Sequence, residues 1–74
     1  MDLRKVVGRN IKRLRAAKGL QQDALAHDAG LHVTYLSGIE NGRRNMTLAV
    51  LERVARSLDV PETELVDRVG ERSA

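Results

Sequence analysis

Apolar residues recur three and four positions apart through almost the whole 74-residue chain, and glycines cut that pattern into short pieces at Gly19, Gly30 and Gly42. Leu3, Val7, Ile11 and Leu14 form a first stripe, with Arg and Lys on the remaining faces. Gly19 ends that helix, and Lys18 stands beside the negative end of its dipole. A second, short helix over about residues 21–29 buries Leu25, Ala26 and Ala29, and Gly30 then permits a sharp turn. The third spans about residues 33–41 and stops at Gly42. Thr47 is a good N-cap for a fourth, with the stripe Leu48, Leu51, Val54, Ala55 and Leu58. Asp59-Val60-Pro61 breaks it, and Pro61 can open a last helix through Val69 with Leu65, Val66 and Val69 as its apolar positions. No stretch alternates with the period of a strand. The expectation is an all-α, compact five-helix bundle forming one domain over residues 1–74.

Composition limits what can hold such a bundle together. There is no cysteine, and Tyr35 is the only aromatic residue, so the core is built from Leu, Ile, Val and Ala. A small core of that kind often gains stability by dimerising. Val66 and Val69 have no obvious place inside so small a domain, so an isologous patch on helix five and the end of helix four, about residues 58–70, is expected to bury them. No apolar run reaches the length of a membrane span and no signal-peptide pattern opens the chain, which reads as cytoplasmic with no membrane partner.

Charge is uneven. Residues 1–18 hold Arg4, Lys5, Arg9, Lys12, Arg13, Arg15 and Lys18 against Asp2 alone, a local balance of +6. Residues 59–74 carry a balance of −3. A basic end and an acidic end suggest a polyanion at one face, although solvated helix faces would give the same totals. An enzyme is not expected. His27 and His32 are five apart with Gly30 between them, and no Cys or clustered carboxylate completes a metal set. Asp23 and Asp28 are separated acids without a partner for acid–base work, and no glycine-rich phosphate loop is present. No catalytic residue, metal or cofactor is assigned.

Two short helices joined by a glycine turn and framed by longer ones make a helix-turn-helix over residues 22–41, with Leu25, Ala26, Gly30, Leu31, Leu36 and Ile39 at its structural positions. Ala26 is small where the helices cross. In order, "NIKRLRAAKGLQQDALAHDAGLHVTYLSGIENGRRN" and "LAVLERVARSLDVPETELV" resemble the XRE-type helix-turn-helix regulators that include phage Cro and repressor proteins. Within that family, "TYLSGIENGRRNMTL" most resembles the controller proteins of restriction-modification systems. The resemblance covers residues 7–66 and implies a lambda-repressor-like fold, with helix three as recognition helix. It also implies a homodimer regulating transcription at a duplex DNA operator, with RNA polymerase as a candidate further partner. An Arg15–Glu40 ion pair between helices one and three belongs to the same pattern. Three positions depart from it. Gln21 replaces the usual Ser or Thr N-cap of helix two, Asp59 a common Gly, and Val33 the Arg that controller proteins typically carry.

The residues of "LHVTYLSGIENGRRN" can then be assigned. Val33 offers methyl groups to a thymine methyl, Thr34 and Ser37 can meet base edges, and Gly38 allows close approach. The expected base contacts are Val33, Thr34 and Ser37. Gln22, Tyr35, Asn41, Arg43, Arg44 and Asn45 are expected at phosphates, which set position but carry no sequence. The plainer alternatives are packing for Val33, a solvated hydroxyl for Ser37, an interhelical wedge for Tyr35 and an N-cap for His32. The rival function is an antitoxin-like protein-interaction module, whose groove would want Leu, Met or aromatic residues exposed on helix three.

Overall fold

The computed structural model describes residues 2–68 and holds five helices. These are α1 (Leu3–Ala17), α2 (Gln22–Ala29), α3 (Val33–Glu40), α4 (Leu48–Leu58) and α5 (Glu62–Leu65). Their starts follow local chemistry. Asp2 caps α1: its carboxylate accepts the Arg4 side chain (Nη2, 3.1 Å) and the Arg4 backbone N–H (2.8 Å), and these bonds hold its pKa down at about 2. Thr47 Oγ1 accepts the Val50 N–H at 3.1 Å and starts α4. Gln21 and His32 stand at the N-cap positions of α2 and α3 without a side-chain cap bond, so His32 does not cap with its ring. Asp59 ends α4 at φ 56°, the left-handed conformation that Asp tolerates better than most residues.

α1 packs across α3, α2 lies against both α3 and α4, and α5 closes the gap between α1 and α4. Ile11, Leu25, Leu36, Ile39, Val54, Leu58 and Leu65 are buried at the centre. Val6 is buried as well, although the stripe read from the sequence passed it over. Two stripe positions fall outside the core: Leu3 is 48% exposed and Leu48 82% exposed. In the first turn of α4 it is Val50 and Leu51 that pack against the core.

Helix five is shorter than its apolar spacing predicts. It ends at Leu65 because buried Asn10, on α1, donates through Nδ2 to Leu65 O (2.9 Å) and to Asp67 O (2.7 Å). Those carbonyls are held by a side chain from 55 and 57 residues earlier. Val66 follows the helix, 38% exposed. Val69 lies outside the described residues.

α1 and α3 approach closely at Gly8, where an added Cβ would come within 2.7 Å of the Glu40 carbonyl oxygen. At the same crossing Glu40 is buried with only 2% of its side chain exposed. Arg15 grips it from α1 through Nε to Oε2 (2.8 Å) and Nη2 to Oε1 (3.0 Å). Gln22 Nε2, at the start of α2, donates to the same Oε1 at 3.1 Å. Arg15 Nη1 also donates to Leu20 O at 2.9 Å, across the α1–α2 turn. The Glu40 hydrogen bond raises the Arg15 pKa, so its charge is secure at any working pH. Arg53 of α4 does comparable work at the other joint, donating to Ala29 O and Gly30 O at 3.0 Å each.

Breaking such a pair from one side strands a desolvated cation. Glu40→Ala is therefore expected to lower unfolding free energy by about 3 kcal/mol, and Glu40→Gln, which keeps an acceptor and the packing volume, by clearly less. Urea melts followed by circular dichroism measure both. An alanine variant as stable as the parent would show that the pair contributes nothing.

Candidate nucleic-acid interface

The sharp turn at Gly30 sets α2 and α3 against each other and leaves one face of α3 uncovered. Periodicity decides which. Leu36 and Ile39 point into the core, so the opposite side carries Val33, Thr34, Ser37 and Gly38. Val33 is 44% exposed, and Thr34 is exposed beside it. Ser37 is half-buried. These side chains line a shallow open groove together with Gln22, Asn41, Arg43 and Arg44. These four are uncharged and short, and the lining also holds two guanidinium-bearing residues. Seven residues expected at DNA thus meet at one surface.

Their hydrogen bonds refine the assignments. Gln22 spends one amide hydrogen on Glu40 and retains the other. α2 opens without a side-chain N-cap bond, and Asp23 in its first turn accepts the Ala24 N–H at 2.9 Å. Asn41 and Arg43 are exposed where the chain leaves α3. The turn there is sealed by Arg43 N–H donating to Gly38 O at 2.9 Å. α1 reaches this end of the groove too, since Lys5 packs against Gly42. Nothing in the local sequence signals that neighbour.

Tyr35 and Asn45 stand outside that groove lining. The Tyr35 ring is half-buried and packs against the core, and its hydroxyl donates to Asn45 O at 3.0 Å. Asn45 lines a separate apolar cleft with Leu3, Met46, Leu48, Leu51 and Val66. Gly38 also plays a role other than bare access, because the side chain of Arg44 lies over it.

His27, Asp23 and Asp28 are exposed and separate, and among the described residues no group of three His, Cys, Asp or Glu side chains could hold a metal ion. Among the same residues no helix is long and apolar enough to cross a membrane.

Known proteins share this arrangement. The helix-turn-helix family HTH_3 matches residues 11–65. An uncharacterized HTH-type transcriptional regulator, y4dJ of Sinorhizobium fredii, is 45% identical over 71 residues, covering 96% of this chain and 92% of that protein. Control protein C.SmaI of Serratia marcescens is 34% identical over 70 residues, 95% of this chain and 83% of its own. The crystal structure of the restriction-modification controller protein C.AhdI from Aeromonas hydrophila superposes with a TM-score of 0.82 at 39% identity. The match covers 84% of this chain and 94% of that one.

Proposed function

The chain belongs to the HTH_3 family of helix-turn-helix DNA-binding transcription regulators, and from that premise we propose that it binds its operator as a homodimer with α3 in the major groove. The observation that carries the reading is the groove over Val33, Thr34 and Ser37, flanked by Gln22, Asn41 and Arg43. Side chains this short let a helix approach base edges, and the flanking donors reach the phosphates on either side. Val33 contacts a thymine methyl, and Thr34 and Ser37 meet base edges. Arg43, Asn41 and Gln22 hold phosphates. A protein-binding groove would expose large apolar residues on α3, and Leu36 and Ile39 are instead buried.

Likeness to the control proteins supports a narrower reading, that this regulator governs a restriction-modification system. Valine at position 33, where controller proteins typically carry arginine, means that its operator differs from theirs. A methyltransferase gene and an endonuclease gene beside its own would bear that out.

The expected dimer face on helix five and the end of α4 has Val66 38% exposed, with Leu58 buried and Arg56 and Asp59 exposed, and we extend that face to the start of α4. Leu48, Leu3 and Val66 border one apolar cleft. A dimer that reads two successive half-sites must set its α3 helices about 34 Å apart, one turn of DNA. Leu48→Glu is expected to convert the dimer to monomer in sedimentation experiments. A parent protein that is monomeric at high micromolar concentration would refute this interface.

Operator affinity measured against salt and against single-base variants tests the DNA reading. Arg43→Ala should weaken all sequences alike and reduce the salt slope by about one unit per half-site. Thr34→Ala should change base preference by about 1–3 kcal/mol at one position with the slope nearly unchanged. Absence of salt-dependent DNA binding by the parent would favour the protein-interaction alternative.

A further inference from the structure

Asn10 of α1 is 1% exposed and holds two backbone carbonyls with a single atom. Its Nδ2 donates to Leu65 O at 2.9 Å and to Asp67 O at 2.7 Å, which spends both amide hydrogens. Its Oδ1 faces Arg13 on the next turn, whose Nη2 donates to it at 3.5 Å. Leu65 O closes α5. Asp67 O lies two residues beyond that helix, where a carbonyl is ordinarily left to water. Val66 stands between the two held groups. The residue before it is fully buried, and Val66 itself is 38% exposed at the border of the apolar cleft. α1 contributes to the same cleft: Leu3, Val7 and Asn10 follow one another at helical spacing on one face, and the first two line it.

We propose that Asn10 is a positioning residue for dimerisation, fixing Val66 relative to Leu3 and Val7 before a second chain arrives. The inference rests on the dimer reading above. A segment that must be ordered on association loses entropy at that moment, and the loss subtracts from affinity. The clasp places that loss in folding instead, by holding the chain on both sides of Val66. A short neutral amide suits the task, because it carries two hydrogens on one atom. A buried Lys or Arg would bring an unpaired charge to the same place. Stopping α5 accounts for the bond to Leu65 O and leaves the bond to Asp67 O without a purpose. Its effect falls on Val66.

Sedimentation equilibrium gives dimer constants for the parent, Asn10→Leu, Val66→Ala and the double variant. Val66→Ala should weaken the dimer roughly tenfold, from methyl groups lost on both sides of the twofold axis. Asn10→Leu, which fills the site without a donor, should weaken it by a similar factor. The double variant should be little weaker than Val66→Ala alone, because Asn10 acts through that valine. Urea melts in the monomeric Leu48→Glu background separate this from a loss of folding, and Asn10→Leu should still unfold cooperatively there. Asn10→Thr, close to Asn in volume and with one donor, carries the same cycle where the leucine variant does not fold. Either variant at the parent's dimer constant would overturn the inference. Effects that multiply in the double variant would also overturn it, since they belong to two independent sites. A parent that is monomeric at high micromolar concentration would overturn the dimer reading, and this inference with it.

Discussion

One buried carboxylate keeps the first three helices in register. Glu40 closes α3 and accepts from Arg15 of α1 and Gln22 of α2. In water such a pair would be worth little, because solvent screens it and the long side chains lose entropy. Here the carboxylate is desolvated, and the alternative to pairing is an unsatisfied charge inside the protein. The backbone must also come close enough for the grip to form, which Gly8 allows by leaving the face of α1 bare beneath the Glu40 carbonyl. Gln22 links this lock to the groove, since the same amide that steadies Glu40 stands at the groove wall. The angle at which α3 is presented therefore depends on the buried Arg15–Glu40 pair behind the groove.

The presented face works by what it omits. In the proposed complex Val33, Thr34 and Ser37 are short enough for the helix to sit deep, with donors of longer reach at its borders. Gly38 extends the same logic by making room for a side chain that arrives from the following loop. On the opposite side of that loop the apolar cleft around Leu48 and Val66 is left without cover in a single chain. Reading face and proposed dimer face are thus only a loop apart, with Arg44 bordering both.

Local patterning made most of the architecture legible. Helices over residues 3–17, 22–29, 33–40 and 48–58 lie where aliphatic spacing, Gly30, Gly42 and the Thr47 cap predict them. What escaped depends on partners distant in sequence. α5 ends early because Asn10 captures Leu65 O and Asp67 O, and a periodic apolar stripe cannot signal that. Leu48 continues the stripe of α4 and yet overhangs the core. The tertiary contacts of Tyr35 and Arg44, a hydrogen bond to Asn45 O and a stem laid over Gly38, were likewise not legible in the sequence. The Arg53 bonds that steady the α2–α3 turn carried no sequence signal at all.

The central claim is that the groove over α3 is the surface that meets DNA. Backbone amide shifts recorded by heteronuclear NMR during titration with an enriched operator duplex test it directly. The largest changes should fall on Gln22, Asp23, residues 33–38 and residues 41–44, with the acidic stretch 59–67 undisturbed. Shifts that leave α3 unmoved and gather elsewhere on the surface would contradict it.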